Sequence, residues 1–121
     1  PMAMQETPVC SCTVIHEDAV QAVKKQLDSE LMLARMAEMF KVLGDATRLG
    51  IINALLLSEL CACDIAAIMR MSQPAVAHHL KILRQTRLVK CRKVGKVVYY
   101  SLCDGHVGML FDQCQTHVRE E

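Results

Sequence analysis

The sequence predicts one mainly helical domain that carries a single β-hairpin. Most of the chain repeats its apolar residues with the helical period of about 3.6, whereas residues 88–102 change to the strand period of two. This stretch contains Val94-Gly95-Lys96, where Gly95 suits a hairpin turn. Upstream, Ser72 and Pro74 mark the start of a helix that closely follows another short helix. Two short helices followed by a hairpin form a winged helix-turn-helix.

The first three helices follow from the spacing of their apolar residues. We predict helices over about 17–27, 31–43 and 46–57. Gly44 is a good stop for the second helix, and Asp45 is a good N-cap for the third. The side chains of the second helix that we expect to face inward are Leu31, Leu33, Met36, Met39, Phe40 and Leu43.

The second half of the chain holds the helix-turn-helix, the hairpin and a last helix. We predict helices over about 63–70, 73–85 and 105–119, and strands over 88–93 and 97–102. In the fourth helix we expect Ile65, Ile68 and Met69 to face inward. The last helix has an apolar stripe made of Val107, Leu110, Phe111, Cys114 and Val118.

Composition limits the domain count and the cellular setting. The 121 residues suffice for one domain, with 52% hydrophobic and only 3% aromatic residues, so we expect an aliphatic core. Residues 1–15 are polar and aperiodic, which predicts a flexible arm before a folded domain over 16–121. We find neither a bilayer-spanning run nor a signal peptide, so we expect a cytoplasmic protein with no membrane partner. Seven cysteines without a secretion signal indicate a reducing compartment, where thiols stay reduced. Their odd number also fits a disulfide framework poorly.

The distribution of charge predicts a nucleic-acid partner. The net charge is only +1, but residues 65–103 hold eight Lys or Arg and no Asp or Glu. An ordinary solvated face would mix acids with these bases, so we expect double-stranded DNA. The fifth helix would enter the major groove, where only one of two adjacent histidines is expected to face a base. The predicted DNA contacts are Ser72, Gln73, His78, His79, Lys81, Arg84, Arg92, Lys93 and Lys96.

Two C-x-C pairs are candidate metal ligands. Cys61 and Cys63 stand at the start of the fourth helix, and taken alone they could equally be core thiols or a redox switch. Cys10 and Cys12 lie in the arm, where core packing does not explain them. Four thiolates from the two pairs would form a soft tetrahedral site suited to Cd²⁺, Pb²⁺ or Zn²⁺.

The last helix carries a second candidate set, Asp104, His106, His117 and Glu120. Eleven residues separate the two histidines, a helical rise of about 16 Å, so one zinc ion could not touch both. Two antiparallel copies of the helix would join Asp104 and His106 of one chain to His117 and Glu120 of the other. The apolar stripe would then be a dimer seam. Spacing alone slightly favours the simpler interpretation, solvent-facing histidines on an ordinary helix.

These features together resemble the ArsR/SmtB family of winged-helix metal-sensing repressors. The resemblance covers about residues 30–121 and rests on FKVLGDATRLGIINAL, ELCACDIA, MSQPAVAHHLKILRQTRLV and KVGKVVYYSL. The C-x-C pairs are similar to those of CadC-type cadmium/lead sensors, and the tail is similar to the SmtB-type zinc site. The resemblance implies a thiolate site that joins the arm of one subunit to the helix of the other.

The resemblance also implies a function. We expect a homodimeric repressor that binds an imperfect palindromic operator in the metal-free state and releases it on binding Cd²⁺, Pb²⁺ or Zn²⁺, controlling metal efflux or resistance genes. The alternative is a thiol redox-sensing regulator on the same fold. Neither interpretation involves an enzyme or a small organic substrate, because no nucleophile–base–orienter arrangement is evident.

Three positions depart from the pattern of the family. Ala77 stands where a serine is common at the centre of the recognition helix, so the base preference of the family does not carry over. Ala66 stands where arsenic sensors carry a third cysteine, which argues against an arsenic site built on this helix alone. Arg87 stands where a glycine is common, so we expect a strained turn there.

Overall fold

A computed structural model describes residues 6–121, so the first five residues of the predicted arm lie outside the described range. The helices are α1 (Glu17–Gln26), α2 (Glu30–Leu43), α3 (Ala46–Leu57), α4 (Ala62–Met69), α5 (Gln73–Gln85) and α6 (Gly105–Arg119). The strands are β1 (Leu60–Cys61), β2 (Val89–Val94) and β3 (Val97–Leu102). The predicted fold class, mainly helical with a hairpin wing, is confirmed.

The chain divides into two compact units, Pro1–Leu33 and Ala34–Glu121. In the first unit, residues 6–16 lie in neither helix nor strand and are exposed, and α1 has no buried residue. Acidic residues begin α1 and basic residues end it, an order that the helix dipole favours. No helix within residues 6–121 is long and apolar enough to cross a bilayer.

The second unit has the aliphatic core that the composition predicts. Its largest fully buried side chains are Ile51, Ile52, Ile65, Val76, Leu80, Leu83 and Leu88. They come from α3, α4, α5 and the residue before β2, so the core holds the two helices of the helix-turn-helix against α3 and the wing. Burying each such side chain favours folding by about 1.5–3 kcal/mol relative to leaving it exposed.

The turn between α4 and α5 is defined by backbone conformation and capping. Arg70 ends α4 in the left-handed region, with φ 56°. Ser72 then begins α5, because its hydroxyl accepts a hydrogen bond from the backbone N–H of Ala75. Pro74 lies in the first turn, where an N–H has no helical partner. The two helices are therefore held close together in sequence and in space.

The sheet has one strand more than the predicted hairpin. Its order is β1-β3-β2, and both pairings are antiparallel. Gly95 makes the β2–β3 turn at φ 60°. In β1, Leu60 lies opposite Tyr100 and Cys61 lies opposite Tyr99. This strand was not predicted because two residues are too few to show a period, yet it places Cys61 at the junction of sheet and helix.

Some side chains that were expected to face inward are exposed in the single chain. On α2 these are Leu31, Leu33, Met36 and Phe40, whereas Met39 and Leu43 are half-buried. On α4, Ile68 is 54% exposed. These predictions were wrong because the period of a sequence shows which face is apolar, but not whether the same chain covers it.

Candidate nucleic-acid interface and metal ligands

One face of α5 is buried and the other is open. Val76, Leu80 and Leu83 pack into the core. The remaining turns expose Ser72, Gln73, His78, Lys81 and Arg84. His78, Lys81 and Arg84 recur every three residues, so they lie on one face of the helix. This face offers hydrogen-bonding and basic groups to a groove of DNA.

The two adjacent histidines of α5 have different surroundings. His78 is exposed, whereas His79 is half-buried, and its Nδ1 lies 3.4 Å from Nη1 of Arg48. The Nε of Arg48 also donates to the carbonyl oxygen of Val42 at 2.6 Å, and its backbone N–H donates to Asp45 at 2.9 Å. His79 is therefore part of a contact that ties α5 to the α2–α3 corner.

Near its turn, the wing presents two exposed lysines and one paired arginine. Lys93 and Lys96 are exposed beside the β2–β3 turn. Arg92 instead donates from Nε and Nη2 to the two carboxylate oxygens of Glu59, at 2.9 and 2.6 Å. Its guanidinium also lies 4.9 Å from the centre of the Tyr99 ring. Of the three basic residues predicted to contact DNA from the wing, Arg92 already has a partner within the chain.

Glu59 is a residue that sequence reasoning missed. It stands 33 positions from Arg92, so no local spacing connects them. The hydrogen bonds from Arg92 hold the pKa of the Glu59 carboxyl below its usual value, and the same contact raises the pKa of Arg92. Both side chains therefore stay charged in the paired state at neutral pH.

Cys61 and Cys63 both lie at the start of α4. Cys61 is half-buried and is the N-cap, because its Sγ accepts the backbone N–H of Asp64 at 3.4 Å. Cys63 is exposed in the first turn. The pair is therefore accessible, and one of its two sulfurs already has a structural role.

The other cysteines divide by exposure. Cys10 and Cys12 are exposed residues of the first unit. Cys91 and Cys103 are half-buried, and burial raises the pKa of the Cys103 thiol, which favours its protonated form. Cys114 is exposed on α6. All seven cysteines are free thiols.

The predicted ligands of the last helix lie at its two ends. Asp104 caps α6, accepting the backbone N–H of His106 at 2.9 Å, and the same carboxylate oxygen lies 3.3 Å from Nδ1 of His106. His117 and Glu120 are exposed at the opposite end. A carboxylate and an imidazole beside each other could supply two of the four ligands of a tetrahedral zinc site. Among residues 6–121 of the single chain, no three His, Cys, Asp or Glu side chains form a metal-binding group.

An apolar groove runs between α6 and the α2–α3 corner within the second unit. Leu110 and Val118 face it while remaining 38% and 55% exposed. The other apolar residues that line it are Phe40, Leu43, Leu49, Ile52, Val107 and Phe111, together with Cys114. The groove therefore includes the whole apolar stripe of the last helix.

Comparison with known proteins identifies the family. Residues 45–90 match the profile described as bacterial regulatory protein, arsR family. A transcriptional repressor SmtB homolog from Synechocystis sp. is 44% identical over 96% of this chain and 88% of its own length. The chain belongs to the ArsR family. A cadmium resistance transcriptional regulatory protein CadC homolog from Staphylococcus aureus is 43% identical, over 93% of both chains. The resemblance inferred from the motifs is confirmed, and these ArsR-family relatives are named as transcriptional regulators.

A solved structure supports the same assignment for the fold. The homodimeric winged helix-turn-helix DNA-binding domain Mb0332 from Mycobacterium bovis, described as a possible ArsR-family regulator, is 26% identical. It covers 78% of this chain, this chain covers 91% of it, and the TM-score is 0.72. The helix-turn-helix and wing described above are therefore the ArsR-family arrangement.

Proposed function

We propose that this ArsR-family chain is a metal-responsive transcriptional repressor. In this proposal it binds operator DNA as a metal-free homodimer and dissociates when Cd²⁺, Pb²⁺ or Zn²⁺ binds. The observation that carries the proposal is the position of Cys61 and Cys63, which begin the first helix of the helix-turn-helix. A ligand bound there would act directly on the element that holds α5. The names of the SmtB and CadC homologues support a role in repression and cadmium resistance.

The DNA-binding part of the proposal rests on the open face of α5. We infer that this face enters the major groove and that Lys93 and Lys96 contact the backbone beside it. A homodimer would bury the apolar groove of α6, and the homodimeric Mycobacterium bovis relative supports this assembly. Because two-fold symmetry places two copies of α5 on the duplex, we expect the operator to be an imperfect palindrome.

We propose that the sensing site is made of four thiolates, Cys10, Cys12, Cys61 and Cys63. Thiolates prefer soft and borderline ions, which explains the preference for Cd²⁺, Pb²⁺ and Zn²⁺ over harder cations. The exposure of Cys10, Cys12 and Cys63, with Cys61 half-buried beside Cys63, supports the proposal. A bound ion would hold the arm against α4 and would fix the position of the sulfur that caps this helix.

We propose a separate zinc site on the terminal helices. Asp104 and His106 already lie beside each other at one end of α6, and His117 and Glu120 are exposed at the other end. Antiparallel pairing of two copies would complete two equivalent sites per dimer. The donor set of carboxylates and imidazoles suits Zn²⁺.

Metal and DNA must oppose each other by the same factor in this mechanism. If metal weakens operator binding, operator DNA weakens metal binding equally, and such couplings are typically about 5–150-fold. The regulated genes would be those for metal efflux or resistance, since that response removes the inducing ion.

The decisive experiment replaces the thiolates of α4. Cys61→Ser combined with Cys63→Ser should abolish operator release by Cd²⁺ while leaving metal-free operator affinity within about threefold. Fluorescence anisotropy of labelled operator DNA under reducing conditions measures both quantities. Cys103→Ser is the matched control, because it removes a half-buried thiol outside both pairs. Normal release by the double variant would refute the thiolate sensor.

The same titration separates the redox alternative. Metal binding should produce a thiolate-to-metal charge-transfer band on addition of Cd²⁺, in step with DNA release. Release that requires an oxidant and ignores Cd²⁺ would instead establish the redox regulator.

The terminal-helix site has its own test. His117→Arg should remove zinc from the tail, lowering bound zinc by two ions per dimer when measured by equilibrium dialysis. An unchanged zinc stoichiometry would contradict the antiparallel arrangement of α6.

A further inference from the structure

The ion pair between Glu59 and Arg92 lies between the two functional parts of the second unit. The pair is bidentate, because Nε and Nη2 of Arg92 donate to separate carboxylate oxygens of Glu59, at 2.9 and 2.6 Å. Arg92 belongs to the wing, and its guanidinium also lies against the ring of Tyr99 on the neighbouring strand. Glu59 immediately precedes β1 and lies two residues before Cys61. The pair therefore connects the wing to the segment that leads into α4, the helix that begins at Cys61 and Cys63.

Within residues 59–64, neighbouring residues contact the wing, the sheet and the start of α4. Glu59 holds Arg92, Leu60 and Cys61 pair with β3, and the Cys61 sulfur accepts the N–H of Asp64. The register places Cys61 opposite Tyr99, the residue whose ring lies under Arg92. A shift of Cys61 therefore reaches the wing by two routes, the strand ladder and the ion pair.

We propose that Glu59 is a positioning residue that carries the metal state of Cys61 to the wing. This inference rests on the proposed sensing site. A metal ion bound to the Cys61 sulfur fixes the position of that sulfur, so the start of α4, which the sulfur caps, and β1, which ends at Cys61, must adjust. The ion pair makes the wing follow that adjustment, because its paired donors fix direction as well as distance. Without the pair, only the strand ladder would transmit the adjustment, so the same ligation would move the wing less.

A simpler role for Glu59 is to neutralise Arg92. In that case removal of the carboxylate would free one cation per protomer for a phosphate. The salt dependence of operator binding would then steepen by about two charges per dimer, with no change in the response to metal. The two roles therefore predict different measurements.

The test compares Glu59→Gln with wild type and with Glu38→Gln, which removes an exposed carboxylate of α2 that has no hydrogen-bond partner among the described residues. The quantity measured is the ratio of operator affinities without and with saturating Cd²⁺. We expect Glu59→Gln to lower this ratio about fivefold, because that factor corresponds to the largest free energy that an exposed ion pair usually contributes. Its Cd²⁺ affinity in the absence of DNA, followed by charge-transfer absorption, and its melting temperature should match those of wild type.

A second variant keeps the charge of the wing. Arg92→Lys retains the cation but loses the bidentate geometry, so its ratio should fall as in Glu59→Gln. The double variant should fall no further than either single variant, because both changes break the same contact. Backbone amide NMR signals of residues 93–96, recorded without DNA, should move on addition of Cd²⁺ in wild type and move less in both variants.

The outcomes separate this inference from the proposed function. A wild-type protein whose operator affinity ignores Cd²⁺ overturns the sensing function and this inference with it. A responsive wild type with an unchanged ratio in Glu59→Gln overturns this inference alone, whether or not the salt dependence steepens. A reduced ratio with additive effects in the double variant also overturns it.

Discussion

At the scale of single residues, Asp45 organises the corner between α2 and α3. Its carboxylate accepts the backbone N–H of Arg48 at 2.9 Å, and the guanidinium of the same arginine contacts Val42 and His79. The hydrogen bond from the Arg48 backbone holds the pKa of Asp45 below its ordinary value of 3.8, and the nearby guanidinium adds to this effect. One carboxylate thus caps α3 and sits beside the arginine that contacts α5.

The lowered pKa of Asp45 predicts a pH-dependent contribution to stability. Between the folded pKa of Asp45 and its ordinary value of 3.8, the folded state binds fewer protons than the unfolded state. The stabilisation of the folded state by ionised Asp45 is therefore full above pH 3.8 and is lost as the pH falls through the lower folded pKa. Asp45→Asn keeps a capping group but not the charge. Urea midpoints should be lower for the variant at neutral pH and should converge with those of wild type once the pH lies below the folded pKa of Asp45. A constant difference across this range would contradict the assignment.

The adjacent histidines of α5 should respond differently to removal. His78→Ala should weaken operator binding roughly tenfold, the range of a lost base contact, with an unchanged melting temperature. His79→Ala should lower the melting temperature, because it removes the contact with Arg48. Anisotropy and thermal unfolding measured on both variants check the assignment. Equal loss of operator affinity from both variants, with no change in melting temperature, would show that both face DNA. The sequence could predict that the two diverge, but not which one packs, since that depends on an arginine 31 positions away.

At the scale of elements, one turn carries the strain that the sequence predicted. Arg87 lies between α5 and β2 with φ 59°, in the left-handed region that favours glycine. The backbone accepts this conformation because Arg87 and Leu88 donate to the carbonyls of Arg84 and Leu83 at 3.0 and 2.9 Å. The turn thus closes the C-terminal end of α5 and directs the chain into the wing.

Arg87→Gly should stabilise the protein by about 0.5–1 kcal/mol. The gain is the relief of the left-handed conformation, reduced by the greater freedom of glycine in the unfolded chain. Arg87→Ala is the matched control, because it removes the same charge but keeps the Cβ that causes the strain. Chemical denaturation of both variants gives the comparison. If alanine stabilises as much as glycine, the effect comes from the charge and not from the backbone.

The sequence predicted the longer elements well and the shortest one not at all. Asp45, Ser72 and Pro74 marked helix starts because each has a specific capping or first-turn role. By contrast, β1 has only two residues, and its partner strand comes about 40 positions later, so no local pattern could reveal it. Cysteine is not a preferred cap, which is why the structural role of Cys61 was also missed.

At the scale of the whole molecule, the apolar groove of α6 is a surface that the single chain leaves open. Its lining combines buried Val107 with Leu110 and Val118, which remain exposed. An apolar surface of this kind favours association, and the proposed homodimer would cover it. Dimerisation and the proposed tail sites therefore depend on the same helix.

Leu110→Glu should shift the protein from dimer to monomer. A carboxylate placed in the proposed interface would lose its water without gaining a partner, so dimer dissociation should increase at least about tenfold. Met109→Glu is the matched control, since Met109 is 65% exposed and does not line the groove. Sedimentation velocity over a range of concentrations distinguishes the two variants. A dimer that tolerates both substitutions would place the interface elsewhere.

The contacts in the candidate sites could be predicted only in part from the sequence. Spacing brought Asp104 next to His106, which the structure places 3.3 Å apart between Oδ1 and Nδ1. Spacing could not assign Arg92 to Glu59, because the partners belong to separate elements that meet only in the folded sheet. The proposed partners of His117 and Glu120 belong to a second copy of the chain, and the joining of Cys10 and Cys12 to Cys61 and Cys63 likewise stays a prediction.

If Cys61 and Cys63 bind metal as proposed, the cap formed by Cys61 predicts an order of events in time. Cys63 is exposed and accepts no hydrogen bond from the described residues, whereas Cys61 is half-buried and its sulfur already caps α4. Capture by Cys63 should therefore be a fast step whose rate grows with the concentration of the ion. Closure by Cys61 should be a slower step with a rate that is independent of concentration.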